Sequence, residues 1–209
     1  MSEKMAEHSI VPARVPEDTE DFARLFVIAA PEFAPALFAG TQDKVAANCF
    51  RYRRNITSFE HAHFVKVNSG NAGVILAYDW IANKKEQVKT TLLIARYMKA
   101  KLIKQMRHLQ WAGEVLGKMD DGTFYIACLA FYPEFRNQGL GTNLLLHTEE
   151  AARKAGAVKL ALDAETYNED AIRFYKRFGM NAVGEPRGTV INGQEFEFIR
   201  LSKDIRGGG

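Results

Sequence analysis

Two closely spaced glycines mark the segment with the clearest chemical signal in this sequence. The segment is Arg136-Asn-Gln-Gly-Leu-Gly141, between a predicted strand and a predicted helix. Because glycine has no Cβ, the backbone amides there can approach an anion closely. The free amides of a first helical turn and the positive end of the helix dipole favour phosphate. The spacing therefore predicts a pyrophosphate-binding loop, to which the side chain of Arg136 can add a contact.

Two better-known phosphate loops fit these residues poorly. A dinucleotide-binding fingerprint needs a third glycine where this chain has Leu144, and a P-loop needs a lysine that Gly141-Thr-Asn lacks. Taken alone, six such residues are more often the start of an ordinary helix. The surrounding sequence has to decide between these interpretations.

A second group of residues recurs at helical spacing further along the chain. Asn168, Tyr175 and either Ala171 or Ile172 between them are spaced by three, four and seven residues, so they share one face of a helix predicted over 169–178. Glu165 precedes them at the carboxyl end of a predicted strand, where open α/β sheets place their ligands. The group offers an amide, a phenol and a carboxylate to one site.

Hydrophobic periodicity predicts the elements that must position these residues. Strands are predicted over 9–15, 61–67, 73–80, 123–132 and 158–164, and a closing hairpin with an Asn-Gly turn over 190–201. One helix is predicted to begin at Pro16 and to be broken by Pro31 and Pro35, and further helices are predicted over 42–54, 84–110, 139–154 and 169–178. The order strand, helix, strand, helix after residue 123 is typical of parallel pairing.

The helix predicted over 84–110 carries the chain's surplus of positive over negative charge. Between Lys84 and Arg107 it has eight Lys or Arg residues against one acid, Glu86. We expect its apolar face to pack over the sheet and its basic face to be solvated. RNA, an acidic partner or a membrane surface are the alternatives for the basic face. The predicted apolar face consists of Val88, Leu92, Ala95, Met98, Leu102, Met106 and Leu109.

The composition is that of an ordinary globular protein. Of 209 residues, 47% are hydrophobic and 25% are charged, which argues against intrinsic disorder. A net charge of +3 is too small for a protein built mainly to bind nucleic acid. No apolar stretch approaches the roughly 20 residues of a membrane span. Two cysteines and a beginning without signal-peptide features lead us to expect a cytoplasmic protein.

The glycine loop and its neighbours together resemble the GNAT N-acetyltransferase superfamily. Arg136–Gly141 matches the family motif Arg/Gln-x-x-Gly-x-Gly/Ala, and Leu129-Ala-Phe-Tyr-Pro-Glu-Phe-Arg resembles the strand-to-loop segment before it. Downstream, Asn168-Glu-Asp-Ala-Ile-Arg-Phe-Tyr-Lys-Arg-Phe-Gly-Met resembles the second motif of the family. Met180 replaces the customary phenylalanine. The detailed match covers about residues 124–184.

The resemblance implies an α/β (α+β) fold of the GNAT type. Such a fold has a mixed, mostly antiparallel central sheet with flanking helices, and its parallel pair would be the strands 123–132 and 158–164. The basic helical segment, 84–112, would be an insertion between the third and fourth strands. We predict a single domain over 1–205 and a flexible tail over 206–209.

The resemblance also implies a reaction. The co-substrate would be acetyl-coenzyme A, with no metal, and the acceptor would be a primary amine of a small molecule or a peptide. Tyr175 would protonate the leaving thiolate, and Glu165 is the candidate general base. Backbone groups of 129–131 would pair with the pantetheine arm like an added strand. The predicted cofactor-binding residues are Leu129, Ala130, Phe131, Arg136, Asn137, Gln138, Gly139, Leu140, Gly141, Thr142 and Asn168.

Two classes of function stay open at this stage. The first is an acetyltransferase that works by direct attack in a ternary complex. The second is a non-catalytic acyl-CoA-binding module that uses the basic helix as a partner surface. The complete glycine loop together with Tyr175 favours the first. No specific nucleic-acid partner and no membrane span are expected, while a homodimer, the acceptor and the length of the acyl group stay open.

Two further features have ordinary interpretations. Cys128 lies within a strand with no histidine near it in sequence, so we expect a small buried hydrophobe rather than an acylated nucleophile. His61 and His63 lie on one face of a predicted strand and would need a third ligand to hold a metal. We expect them to be exposed histidines at the edge of the sheet.

Overall fold

The computed structural model describes residues 8–206, and seven strands form one mixed sheet. They are β1 (His8–Pro12), β2 (Ala62–Val67), β3 (Gly70–Asp79), β4 (Thr123–Phe131), β5 (Lys159–Glu165), β6 (Asn181–Ile191) and β7 (Gln194–Asp204). Their spatial order is β1-β2-β3-β4-β5-β7-β6. β4 and β5 run parallel, and every other pair of neighbours in the described sheet is antiparallel. The predicted mixed sheet is confirmed.

Seven α-helices connect and flank these strands in the described part of the chain. They are α1 (Thr19–Ala29), α2 (Phe33–Leu37), α3 (Gln42–Arg51), α4 (Trp80–Met98), α5 (Lys101–Val115), α6 (Leu140–Lys154) and α7 (Glu169–Arg177). The sequence predicts no helix at α2, because Pro31 and Pro35 usually break helices. Pro35 lies in the first turn of α2, where a missing N–H costs nothing. Of the predicted tail, 207–209 lie outside the described residues.

The core has a layer on each face of the sheet. β3 shows the alternation clearly, since Val74 packs with α1 and α3 on one face while Ile75 packs with α6 and α7 on the other. Phe22 of α1 stacks on Phe50 of α3 with ring centroids 4.2 Å apart, which fixes these helices to each other. No helix among residues 8–206 is both long and apolar enough to cross a membrane.

The basic segment lies between β3 and β4, but the prediction of one helix with one apolar face is wrong. The chain breaks at Lys99, which has a φ of +53°, and continues as a second helix, α5. Val88, Leu92 and Met106 of the predicted apolar face are 71%, 64% and 56% exposed. Val88 and Leu92 lie before this break, and they are exposed because the buried face of α4 runs through Thr90, Leu93 and Met98 instead.

The two basic helices do not simply cover the sheet as expected. Leu93 and Met98 of α4 are buried in a third cluster, together with residues of α2, α3 and the β6–β7 hairpin. Trp111 of α5 packs near Phe198 of β7, with ring centroids 6.2 Å apart. The segment therefore packs against α2, α3 and the β6–β7 hairpin.

The sheet opens between its two parallel strands. β4 pairs with β5 only where residues 123–125 meet residues 159–161, although both strands continue further. Beyond that point β5 stays paired with β7, and β4 stays paired with β3. The divergence leaves a wedge between β4 and β5, in which the residues predicted to do chemistry collect.

Candidate active site

The glycine loop ends in a helix terminus that no side chain caps. Gly139 is the N-cap of α6 with a φ of +77°, in the left-handed region that glycine adopts without strain. In the described part of the chain, the backbone amides of 138–142 donate no hydrogen bond. These amides are directed to the end of the helix where the dipole favours an anion. The geometry is that of an anion-binding helix terminus.

This terminus borders a cleft of about 830 Å³ between β4, α6 and α7. The Nε of Arg136 donates a 3.3 Å hydrogen bond to the carbonyl oxygen of Phe131, which holds the arginine beside the cleft. Gln138 does not line the cleft, because its side-chain amide turns back to the carbonyl of Glu134 at 2.7 Å. The other predicted cofactor-binding residues all line it, namely Leu129, Ala130, Phe131, Arg136, Asn137, Gly139, Leu140, Gly141, Thr142 and Asn168.

Gly141 permits the close approach of α7 to this loop. A Cβ on Gly141 would lie 3.0 Å from Cζ of Phe174 and 3.7 Å from Cε2 of Phe131. The cleft therefore narrows against aromatic side chains, and residue 141 cannot grow without moving Phe174. Asn168 caps α7 by accepting a 3.2 Å hydrogen bond from the amide of Ala171, and it also lines the cleft.

An inner cavity of about 340 Å³ continues from the cleft into the protein. Both spaces are lined by Leu129, Glu165, Asn168, Ala171 and Tyr175, so these residues form the passage between them. Asn168, Ala171 and Tyr175 thus share one face, as their spacing predicts. The two candidate catalytic residues, Tyr175 and Glu165, are brought to the same passage.

The phenol of Tyr175 is buried and free to act on a ligand. Its hydroxyl makes no hydrogen bond to any described residue. Burial raises the pKa of Tyr175 above its usual range, with a smaller contribution from Cys128, so the phenol stays protonated at neutral pH. A neutral phenol at this passage can donate a hydrogen bond or a proton.

Asp163 and Glu165, two residues apart on β5, both line the inner cavity, but their hydrogen-bond partners differ. Asp163 accepts a bidentate pair from Arg200, with both N···O distances at 2.7 Å. It also accepts from the Tyr125 hydroxyl at 2.9 Å, the Gly117 amide at 3.0 Å and Arg187 at 3.2 Å. With five donors, Asp163 is a structural anchor with no capacity left for a ligand.

Glu165 is the available acid. Its side chain is buried, and its Oε2 atom has no hydrogen-bond partner within the described residues. Burial raises the pKa of the Glu165 carboxyl; the hydroxyl of Tyr167 opposes this effect and the carboxylate of Glu32 adds to it. A buried carboxylate oxygen without a partner is costly, so this one indicates a site for a cation or a proton.

A β-bulge shapes the floor of the passage. Leu76 pairs with Cys128 and Ala77 pairs with Ile126, which leaves Ala127 of β4 without a partner on β3. Ala127 is exposed to the inner cavity although it lies in the middle of the strand. Bulges re-aim neighbouring groups and are common beside active sites. This bulge lies two residues before Leu129, and neither it nor the saturation of Asp163 has a signal in the sequence.

We expect the Asp163→Asn variant to lose about 3–5 kcal/mol of unfolding free energy, because the guanidinium of Arg200, which is largely buried at 15% exposure, loses its counter-charge. Chemical denaturation measures this change. The matched control is Asp121→Asn, an exposed acid paired with Lys84, which should change stability by less than about 1 kcal/mol. Equal losses in the two variants would contradict the anchoring role of Asp163.

The two histidines are placed differently from the prediction. His63 lies on β2, an interior strand of the sheet, His61 lies just before that strand, and neither side chain is exposed. His61 forms a 2.8 Å contact with Glu86, and His63 lies against His147 with ring centroids 4.9 Å apart. The strand is interior because β1 pairs along its outer edge. Within residues 8–206, no group of three or more His, Cys, Asp or Glu side chains is placed to hold a metal ion.

Cys128 is buried within β4, as expected for a small hydrophobe. Burial raises the pKa of its thiol to about 12, so almost no nucleophilic thiolate exists at neutral pH. This chemistry disfavours an acyl-cysteine intermediate.

Comparison with known proteins finds acetyltransferases with similar sequences. The sequence model of the "Acetyltransferase (GNAT) family" matches residues 94–180. Acetyltransferase Atu2258 of Agrobacterium fabrum is 36% identical over 88 residues, which are 42% of this chain and 61% of that protein. Aminoalkylphosphonate N-acetyltransferase of Salmonella typhimurium is 35% identical over 74 residues, 35% of this chain and 41% of that protein. The aligned regions thus cover less than two thirds of these relatives.

Solved structures with the same fold cover nearly the whole chain. An N-acetyltransferase from Staphylococcus aureus Mu50 superimposes with a TM-score of 0.68 at 23% identity, over 93% of this chain and 100% of that one. A Bacillus subtilis acetyltransferase in complex with CoA gives a TM-score of 0.55 at 14% identity, over 95% of this chain and 99% of that one. At these identities the likeness concerns the fold.

Proposed function

Because the chain belongs to the GNAT acetyltransferase family, we propose that it transfers an acetyl group from acetyl-coenzyme A to a primary amine in a ternary complex. One observation carries the proposal: a single cleft runs from the uncapped amides of α6 to a passage that holds Tyr175 and Glu165. The fold shared with an acetyltransferase in complex with CoA supports the choice of cofactor.

The chain's own groups suggest how the co-substrate is held. The amides from Gly139 to Thr142 would bind the pyrophosphate, with Arg136 beside them. The edge of β4 that faces the wedge, residues 129–131, would pair with the amide groups of the pantetheine arm. Asn168 lines the opposite side of the cleft. This arrangement brings the thioester to the passage at Tyr175.

Each proton in the reaction then has a nearby group. Glu165 takes a proton from the ammonium of the acceptor, directly or through one water, and the free amine attacks the thioester carbonyl. A backbone amide of β4 near Leu129, beside the bulge at Ala127, stabilises the oxyanion. As the C–N bond forms and the C–S bond breaks, Tyr175 gives its proton to the leaving thiolate, and the nitrogen loses its second proton to the tyrosinate, which restores Tyr175. Glu165 then releases its proton to solvent.

A non-catalytic role is the second candidate, and one observation favours it. The outer face of α4 exposes Val88 and Leu92 beside Lys85 and Lys89, a surface suited to contact with another molecule. Release of free thiol from acetyl-CoA in the presence of a panel of primary amines separates the two candidates. Binding of acetyl-CoA without turnover of any amine would favour the binding module.

We expect the Gly139→Asp variant to bind CoA about 10–100-fold more weakly than Gly139→Asn, as measured by calorimetry. Both side chains tolerate the left-handed conformation, and a Cβ at this position meets nothing within 4 Å. The pair therefore differs mainly in the charge beside the pyrophosphate, where each charged hydrogen bond contributes about 1.5–3 kcal/mol. Equal CoA affinity of the two folded variants would contradict the placement of the pyrophosphate at this loop.

A further inference from the structure

We infer that the acceptor is a small primary amine with an apolar body, either aliphatic or aromatic, which occupies the inner cavity. The inference rests on the proposed function and names its substrate class. The cavity of about 340 Å³ lies at the lower end of the range of about 300–1,000 Å³ that small-molecule sites span. It ends at the passage beside Glu165 and Tyr175, where the amine has to be.

The wall of the inner cavity is apolar and firmly packed. Phe33 meets Phe198 edge to face, with ring centroids 4.7 Å apart, so neither ring is free to move aside. The basic segment adds Leu116, just after α5. A peptide backbone placed here would leave its polar groups without partners, whereas a hydrocarbon body would not. The main apolar wall residues are Phe26, Phe33, Leu37, Phe38, Leu116 and Phe198.

The charged residues around the cavity favour a cationic group on the acceptor only at the end next to Glu165. Among the described residues that line it, the charged ones are Asp163 and Glu165, and no Lys, Arg or His is among them. Asp163 is saturated by its five donors, so Glu165 is the one acid that can accept from an ammonium group. A carboxylate or phosphonate on the acceptor would find no counter-charge here.

The apolar surroundings also assist the proton transfer. An ammonium group taken out of water loses stability relative to the neutral amine, so its pKa falls. Burial acts in the opposite direction on the carboxyl of Glu165. Both effects reduce the cost of moving a proton from the amine to Glu165.

A series of n-alkylamines tests the apolar body. If each methylene becomes buried, kcat/KM should rise about fourfold per carbon, or roughly 60-fold from propylamine to hexylamine. We expect 6-aminohexanoate and 2-aminoethylphosphonate to react at least about 100-fold more slowly than hexylamine, because a buried anion without a partner is costly. A flat series, or faster reaction of the anionic amines, would overturn the inference and leave the proposed function intact.

One substitution in the wall should change this preference. Leu116→Arg places a cation at the cavity, so the ratio of kcat/KM for hexylamine over 6-aminohexanoate should fall at least about tenfold. Leu116→Met keeps an apolar side chain and should preserve the ratio within about threefold. Ile103→Arg adds the same charge to α5 at a position that is 76% exposed, and it should leave the ratio unchanged. An equal change in Ile103→Arg would show a long-range charge effect instead.

A binding measurement keeps the two proposals separate. Calorimetry of hexylamine with CoA-saturated protein should show binding that Leu116→Arg weakens and Leu116→Met keeps. Binding with this pattern but without any acetyl transfer would refute the proposed function while supporting the apolar acceptor site. Turnover of polar amines with no hexylamine binding would refute the acceptor class alone. Neither binding nor turnover of any amine would refute both.

Discussion

Tyr175→Phe should lower kcat about 10²–10⁴-fold while the Kd for acetyl-CoA stays nearly the same. The change removes one hydroxyl and keeps the aromatic ring, which packs in the core between its own helix, α7, and the sheet. General acid catalysis typically contributes a factor of this size, which corresponds to roughly 3–5 kcal/mol lost in the transition state alone. Steady-state kinetics on any accepted amine, with a separate binding titration, measures both quantities.

The control for this variant is another tyrosine that loses only its hydroxyl. Tyr97 lies on α4, its hydroxyl donates to that of Tyr52 at 3.1 Å, and it lines neither the cleft nor the inner cavity. Tyr97→Phe should keep the kcat of the unaltered protein. If Tyr175→Phe also kept more than half of kcat, water or another group would be the acid, and the CoA-binding cleft would be unaffected by that result.

The buried position of Tyr175 does not make it too weak an acid. Its pKa is raised, which by itself makes proton loss harder. The leaving thiolate, however, forms in the same buried passage, and burial raises the proton affinity of a thiolate as well. The thiol of Cys128 follows the same direction, since burial raises its pKa. The unperturbed difference of about 1.5 pKa units between phenol and thiol is therefore a fair guide to the transfer.

The parts of the fold that the sequence predicts are those governed by local pattern. The strands around the glycine loop are apolar on both faces, and α6 begins at Leu140, between the two glycines of the signal. The prediction for the basic segment is wrong because its apolar residues are compatible with two different buried faces. A stripe through Leu92 and Met106 looks continuous in sequence, but the break at Lys99 and the packing of Leu93 against α2 and α3 decide which side is buried. That choice depends on tertiary partners.

The candidate site divides in the same way. The cleft residues and Tyr175 follow from motif and helical spacing, and the structure brings them to one wedge. The two acids of β5 could not be ranked from sequence. Asp163 is saturated by Arg187 of β6 and Arg200 of β7, strands that follow it in the chain, so only the folded sheet shows that Glu165 is the free one.

Glu165→Gln is expected to lower kcat/KM at neutral pH about 10²–10⁴-fold, because the amide cannot take a proton from the acceptor. The stability of the variant separates this effect from misfolding. Since burial raises the pKa of Glu165 in the folded state, the free energy of unfolding falls as pH rises through that pKa. Glutamine stays neutral and does not lose this free energy. The melting temperature of the variant at pH 7 should therefore equal or exceed that of the unaltered protein.

The pH profile gives the more specific test of Glu165. The carboxylate is the active form, so kcat/KM should rise with pH along a limb whose midpoint lies above the usual glutamate value of about 4.3. Glu32 contributes to that elevation through its charge, and its carboxylate is held by Gln194 at 2.6 Å. Glu32→Gln should therefore move the limb to lower pH while keeping it, and Glu165→Gln should abolish it. If the limb persists unchanged in Glu165→Gln, the base is another group, because this variant has no carboxyl at position 165 to titrate.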